Sequence, residues 1–210
     1  MKKSFDINAD YQPESFEFSK AFQKKVEEAI SLYPKGRQQS AVMPLLDLAQ
    51  RQVAEEGAKA TPVYGGWIPR AAMDKIAEIL DMAPIKVYEV ATFYSMYNTA
   101  PVGKYLVQIC GTTPCWLCGS DDIIQTCTKH LGIGMGETTP DGKFTLMEVE
   151  CLGACVNAPM VQINDDYYED LTEGSMKEIL DMLSEDMKPK IGSQKARKAS
   201  MALSGPTTLK

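Results

Sequence analysis

The feature that most constrains this chain is a set of four cysteines arranged as two closely spaced pairs. Cys110 and Cys115 are separated by Gly-Thr-Thr-Pro, and Cys151 and Cys155 by Leu-Gly-Ala, with 35 residues between the pairs. Each pair directly follows a segment with the apolar pattern of a buried strand. If both strands lie in one sheet, their loops can bring four thiolates to one edge, and four thiolates are the ligands that a 2Fe-2S cluster requires.

The ligand type alone does not decide the metal, because sulfur donors suit iron and zinc alike. Structural zinc sites usually place about two to four residues between paired ligands on short ribbons, whereas these pairs follow strands of a larger domain. The small and polar residues within both loops let backbone N–H groups approach the sulfurs, as iron–sulfur sites need. A structural zinc site without a redox role stays open as an alternative.

A second alternative uses a different pair of cysteines. Cys115-Trp-Leu-Cys118 is a C-x-x-C motif at a predicted helix N-terminus, where a thioredoxin-like enzyme keeps its dithiol. Cys115 would then be a nucleophile with a depressed pKa and Cys118 its resolving partner, but the other three cysteines would have no role in that chemistry. If four cysteines hold a cluster, Cys118 and Cys127 are expected to be buried or partly buried helix thiols, with Cys118 a possible substitute ligand.

Charge and composition exclude several classes of function. Residues 1–187 carry 16 basic and 28 acidic side chains, so this acidic body repels phosphate backbones and nucleic-acid binding is not expected. No apolar run reaches the roughly 18 residues that span a bilayer, so we expect no direct membrane insertion. The N-terminus lacks a secretory pattern, which favours the bacterial cytoplasm, or else an organelle protein that has already been processed. In a reducing compartment, six cysteines point to metal or redox chemistry rather than disulfides.

The first half of the chain has the spacing of amphipathic helices. Apolar residues recur at helical intervals, and prolines and glycines punctuate the pattern. These signals predict an N-terminal extension over residues 1–17 and a helical bundle over 18–100. The expected helices cover about residues 19–33, 38–55, 69–80 and 84–96.

The pattern changes to a mixed α/β type in the second half. Residues 105–109 and 144–149 read as strands, with a helix between them over 115–131, and residues 161–168 read as a hairpin. A final helix begins at Thr172. This order is compatible with a thioredoxin-like domain over 101–187. The remaining residues, 188–210, form a basic tail that its composition predicts to be flexible and solvated, with docking to an acidic surface as the alternative.

The residues around the cysteines resemble a known family, the twenty-four-kilodalton subunit of respiratory complex I, NADH:quinone oxidoreductase. The resemblance rests on Val-Gln-Ile-Cys110, on Thr-Pro-Cys115 and on residues 148–160, Glu-Val-Glu-Cys-Leu-Gly-Ala-Cys-Val-Asn-Ala-Pro-Met. It continues in segments such as Gly-Trp-Ile-Pro at 66–69 and Tyr-Tyr-Glu-Asp-Leu at 167–171, and covers about residues 16–186. The loop over 52–65 looks longer than the family pattern, and position 118 often carries arginine in this family.

The resemblance implies an N-terminal helical bundle followed by a thioredoxin-like ferredoxin domain. It also implies that Cys110, Cys115, Cys151 and Cys155 bind a 2Fe-2S cluster. The implied activity is electron transfer within the NADH-dehydrogenase module of a translocating respiratory complex, with FMN and NADH bound by a neighbouring subunit and a large iron–sulfur subunit nearby. A diaphorase subunit of an NAD-linked hydrogenase or formate dehydrogenase is the related alternative.

Overall fold

The computed structural model describes residues 6, 8–205 and 208, which divide into two compact units. The first unit ends at Lys104 and the second begins at Tyr105. The first is helical and the second combines helices with a sheet, so the predicted order of a helical region followed by an α/β domain is confirmed. In the described part of the chain, no helix is both long and apolar enough to cross a membrane.

Four helices form the first unit, and their apolar faces meet in one core. Buried side chains come from every helix, with Phe22, Leu46, Ile76 and Val87 each at most 2% exposed. The spacing that predicted these helices is therefore the spacing that buries one face of each. The helices are α1 (Lys20–Ser31), α2 (Val42–Gly57), α3 (Arg70–Leu80) and α4 (Pro84–Phe93).

The start of the second helix differs from the prediction. A single helix from residue 38 is expected, but Gln38–Ala41 is a 3-10 turn and α2 begins at Val42. Pro44 explains the shift, because a proline without an N–H is tolerated in the first helical turn but not farther inside. Starting α2 at Val42 places Pro44 in that first turn.

The second unit is built on a five-stranded sheet with strand order β2-β1-β3-β4-β5. The first two strands are parallel and in register, with Cys110 opposite Val149. Because parallel neighbours end at the same edge, the loops after them leave the sheet side by side. The strands are β1 (Tyr105–Cys110), β2 (Phe144–Val149), β3 (Val161–Ile163), β4 (Asp166–Glu169) and β5 (Gly192–Ser193).

The helix predicted over residues 115–131 is interrupted. It consists of α5 (Thr113–Leu117) and α6 (Ser120–Leu131), separated at Gly119, which has a φ of +94°. Only glycine adopts this left-handed backbone without a steric penalty, so the chain can turn there and start a new helix. As a result, the short α5 carries Cys115, whereas Cys127 lies on α6.

The last helix, α7 (Glu173–Ser184), begins where the sequence predicts it. Thr172 caps α7: its hydroxyl accepts a hydrogen bond from the Ser175 backbone N–H at 3.2 Å, and the Ser175 hydroxyl accepts one from the Thr172 N–H at 2.9 Å. This reciprocal capping satisfies two helix-terminal donors. Met176 and Leu180 on α7 are buried in the core beside the sheet.

The structure differs from the predicted flexible tail over residues 192–199. Gly192–Ser193 forms β5, a parallel edge strand beside β4. Farther along, the Arg197 guanidinium donates to both carboxylate oxygens of the buried Asp170. The prediction of a solvated tail rests on its high content of charged and polar residues. In the structure, one of those charges, Arg197, has a specific partner in the buried Asp170 carboxylate.

Candidate metal centre

The two loops that follow β1 and β2 bring the four predicted ligand cysteines together. The backbone N–H of Leu152, in the second loop, hydrogen-bonds the Cys110 sulfur of the first. The Thr112 hydroxyl lies 3.3 Å from the Cys110 Sγ and also hydrogen-bonds Cys151. The loops are thus in direct contact.

Within each pair the two sulfurs are hydrogen-bonded. The Cys115 thiol donates to the Cys110 sulfur, and the Cys155 thiol donates to the Cys151 sulfur, with the latter two Sγ atoms 3.5 Å apart. The charge on Cys110 also acts on Cys155 in the other pair. The site is therefore two adjoining sulfur pairs.

The two pairs differ in their exposure. Cys110 and Cys115 are each 1% exposed and form a buried cluster with Met160, and the partly buried Leu152 packs against this cluster. Cys151 and Cys155, by contrast, are exposed. One side of the site is closed to water and the other faces solvent.

Thiol pKa values in the first pair move in opposite directions. Burial raises the pKa of Cys115 to about 12, and the neighbouring Cys110 adds to the rise. Burial also acts to raise the pKa of Cys110, but hydrogen bonds from the Thr112 hydroxyl and from the Leu152 and Thr112 N–H groups outweigh it and lower the value. The donors around Cys110 thus favour its thiolate.

The second pair shows the same division. The Gly153 N–H, the Cys155 thiol and the Thr112 hydroxyl together lower the pKa of Cys151. The hydrogen bond to Cys151 raises the pKa of Cys155, and a partial loss of solvation acts in the same direction. Gly153 has a φ of +86°, a left-handed conformation that suits glycine, so a larger residue there would strain the turn that presents this donor.

The donor set of the site is four cysteine sulfurs on two contacting loops, and these residues would hold a 2Fe-2S cluster. In the described residues, no three cysteine, histidine, aspartate or glutamate side chains converge where a single metal ion would sit. A 2Fe-2S cluster would take four cysteine ligands for two irons, so three side-chain donors around one ion would not be required. Backbone and hydroxyl donors already surround Cys110 and Cys151, which is the second layer of contacts that such clusters use.

The remaining cysteines stand apart from this set. Cys127 is fully buried, and burial alone raises its pKa to about 12, as expected for an inert core thiol. Cys118 is exposed, contrary to the prediction of a buried or partly buried thiol, because it follows α5 at the break before Gly119. The dithiol hypothesis is not supported, since its proposed nucleophile, Cys115, is buried and has a raised pKa instead of a depressed one.

Some contacts of the site have no sequence signal of their own. Tyr167 donates its hydroxyl hydrogen to the Leu152 carbonyl at 2.8 Å and so ties the second loop to β4. Asn157, two residues after Cys155, donates to the Glu169 carboxylate and to the Ala199 carbonyl. Cysteine spacing points to the predicted ligands but not to these anchoring contacts, because the partners of Tyr167 and Asn157 lie on other segments of the chain.

Comparison with known proteins gives a consistent result. Residues 26–184 match the family model described as thioredoxin-like [2Fe-2S] ferredoxin. A mitochondrial NADH dehydrogenase [ubiquinone] flavoprotein 2 from Dictyostelium discoideum is 53% identical over 202 residues, covering 96% of this chain and 76% of that protein. A subunit of NADH-quinone oxidoreductase from Rickettsia felis is 55% identical over 174 residues, covering 83% of this chain and 98% of that one.

A solved structure supports the fold alone. A crystal structure of an NAD+-reducing [NiFe]-hydrogenase in the air-oxidized state matches 67% of this chain and 23% of its own chain, with a TM-score of 0.53 and 14% identity. The family assignment rests instead on the matched family model, which spans most of the chain, and on relatives that are more than half identical. The chain belongs to the thioredoxin-like [2Fe-2S] ferredoxin family.

Proposed function

We propose that this chain is the electron-transfer subunit of the NADH-dehydrogenase module in an NADH:quinone oxidoreductase. The observation that carries the proposal is the pair of adjoining loops that present four cysteine sulfurs on a ferredoxin domain. Relatives that are 53% and 55% identical carry the names of NADH dehydrogenase and NADH-quinone oxidoreductase subunits, which supports this choice of host complex. A bound 2Fe-2S cluster supplies one-electron redox chemistry at this position.

The proposed ligands are Cys110, Cys115, Cys151 and Cys155. The buried pair, together with Leu152 and Met160, keeps water from one side of the site. The exposed pair lies where a redox partner can approach closely. The Thr112 hydroxyl and the Leu152 and Gly153 N–H groups hold negative charge on the sulfurs, which favours the reduced state of the site.

The proposed partners are the flavin- and NADH-binding subunit and the large iron–sulfur subunit of the same complex. In this arrangement NADH gives hydride to FMN in the neighbouring subunit, and this chain takes over one electron at a time. No NADH site is proposed in this chain. Co-purification from the native source tests the partners, and recovery with hydrogenase or formate dehydrogenase subunits would instead support the diaphorase alternative.

The proposed location is the cytoplasmic face of a bacterial membrane, reached through the complex, with the matrix face of the mitochondrial inner membrane as the alternative. Both kinds of relative, bacterial and mitochondrial, are similar to this chain. Fractionation of the native cells, followed by immunodetection of this chain, distinguishes the two.

The assignment of the site is tested with the full-length protein prepared anaerobically. We expect two irons and two acid-labile sulfides per chain, visible charge-transfer bands, and an electron paramagnetic resonance signal after dithionite reduction. Stoichiometric zinc in a colourless protein would refute the redox function and support a structural zinc module.

Single substitutions then test each ligand. Cys110→Ser, Cys115→Ser, Cys151→Ser and Cys155→Ser should each abolish or strongly alter the resonance signal. Cys127→Ser is the matched control, because the same atom is changed at a buried thiol outside the site. An unaltered signal in Cys151→Ser would overturn the ligand assignment.

A further inference from the structure

The C-terminal segment over residues 192–199 is fastened to one buried carboxylate. Asp170 is only 2% exposed at its side chain and accepts hydrogen bonds from the Ser193 hydroxyl at 2.6 Å and from Arg197 Nε and Nη2, both at 2.9 Å. The Ser193 hydroxyl oxygen also accepts from the Arg197 backbone N–H at 3.0 Å. Three donors from the segment therefore converge on one carboxylate, a geometry that fixes the position of the segment.

The same segment contacts the turn that carries Cys155. Cys155–Asn157 is a 3-10 turn, and the buried Asn157 donates one amide hydrogen to the Ala199 carbonyl at 3.0 Å. Its other amide hydrogen goes to the Glu169 carboxylate at 2.5 Å. Asn157 thus links the cysteine turn to the segment and to the end of β4.

A backbone contact joins the two attachment points. The Asp170 N–H donates to the Asn157 carbonyl at 2.7 Å. Asp170 has a φ of +54°, an uncommon conformation for a residue with a side chain, so its backbone direction depends on the contacts that hold it. Asp170 therefore connects the two sets of contacts. Its side chain binds Arg197 and Ser193, and its backbone N–H binds the carbonyl of Asn157.

We propose that residues 192–199 form a clip that holds the Cys155 turn in place, and that Asn157 and Asp170 are positioning residues for that cysteine. The proposal deepens the proposed function and rests on it, because it assigns to Cys155 the role of a cluster ligand. Cys155 belongs to the exposed pair, where packing restrains the sulfur least. The contacts of Asn157 and Asp170 then fix the orientation of the turn and, with it, of Cys155. Contacts outside the ligand shell orient metal ligands in the same way.

The clip also explains why only one of two adjacent basic residues in the tail is partly buried. Arg197 is 13% exposed at its side chain, whereas the adjacent Lys198 is exposed. A guanidinium presents two parallel donors to a carboxylate, which a lysine ammonium cannot do. One basic residue of the tail is therefore specific, and its neighbour serves as a matched control.

The test compares Arg197→Met with Lys198→Met in the full-length protein. Hydrogen exchange followed by mass spectrometry reports the Asn157 and Ala158 amides, which bond within the turn to Ala154 and Cys155 carbonyls. In Arg197→Met these amides should exchange faster. The oxidised variant should also lose its visible absorbance at an EDTA concentration about tenfold lower than the wild type, since loss of an outer contact lowers metal affinity by about tenfold or more. Lys198→Met should behave as the wild type does in both measurements.

The α7 amides separate positioning from general loss of stability. If Arg197 only stabilises the fold, amides of Glu173–Ser184 will accelerate as much as those of the turn, and the proposal is wrong. Unchanged exchange in the turn, or equal acceleration in Lys198→Met, also overturns it. Arg197→Lys, which retains the charge, should restore part of the protection.

Two further measurements keep the test decisive. If Arg197→Met does not fold, Ser193→Ala is the substitute, because it removes a single donor to Asp170. The Asn157 and Ala158 amides should then exchange faster than in the wild type, but less so than expected for Arg197→Met. Exchange at the wild-type rate in Ser193→Ala would refute the clip. A wild-type protein without iron or labile sulfide would refute the proposed function, whereas the exchange comparison would still show whether the segment holds the turn.

Discussion

The hydroxyl of Thr112 offers a quantitative test of how this site sets its redox behaviour. It lies 3.3 Å from the Cys110 sulfur and also hydrogen-bonds Cys151, but one hydroxyl hydrogen can be donated to only one sulfur at a time. Thr112→Val removes this donor and keeps the shape of the side chain. Since the Thr112 side chain makes no capping hydrogen bond to α5, the change removes no such bond from the helix.

The expected size of the effect follows from the number of bonds lost. A hydrogen bond to a charged group contributes about 1.5–3 kcal/mol. Only the part that differs between the oxidised and the more negative reduced state affects the potential, so we take about 1 kcal/mol. For a one-electron couple a tenfold change in equilibrium constant, about 1.4 kcal/mol, corresponds to about 59 mV. Loss of the Thr112 donor should therefore lower the midpoint potential by roughly 40 mV.

The assay is a dithionite titration of the purified protein followed by electron paramagnetic resonance. Thr113→Val is the matched control, because the neighbouring Thr113 is exposed and begins α5. Thr113→Val should leave the potential where it is in the wild type. The reasoning fails if Thr112→Val keeps or raises the wild-type potential, or if both variants shift it equally.

Three further outcomes test the fold and its electrostatics. Leu180→Ala removes a side chain that is 1% exposed and should lower the free energy of unfolding of its domain by about 2–5 kcal/mol in urea denaturation. Leu203→Ala, at an exposed position, should change this free energy little. Equal effects of the two substitutions would contradict the assignment of Leu180 to the core. Thr172→Ala removes the acceptor of the Ser175 N–H and should cost about 1 kcal/mol in the same assay, so an unchanged midpoint would show that the cap is unimportant. The Arg197 guanidinium is the main reason why the pKa of Asp170 lies below its usual value. The ionised Asp170 therefore stabilises the fold fully above the unfolded-state pKa of about 3.9, and this contribution is lost as the pH falls through the lower folded-state pKa. Urea denaturation between neutral and acidic pH should therefore show Asp170→Asn less stable than the wild type at neutral pH and the difference shrinking in acid, and a difference that grows in acid would contradict this sign.

Much of the fold could be predicted because its signals are local. The second strand lies at Phe144–Val149 as predicted, and the last helix begins after Thr172, since alternation and capping residues act within a few positions of one another. The cysteine pairs share this property, with three or four residues inside each. The break at Gly119 was missed because helical periodicity continues across it, and a single glycine inside such a pattern is often tolerated.

The contacts that support the site are of a different kind, since each joins segments that are far apart in sequence. Arg197 meets Asp170 across 27 positions, and Asn157 meets Ala199 across 42. Neither partner carries a periodic pattern, and the composition around Arg197 resembles that of a solvated tail. A charge in such a segment is ordered only when a buried opposite charge has the geometry to receive it, and burial of that partner is a property of the folded domain. The sequence can therefore identify the cysteines that we propose as cluster ligands, whereas the contacts around them become visible only in the folded domain, where the sheet brings their partners together.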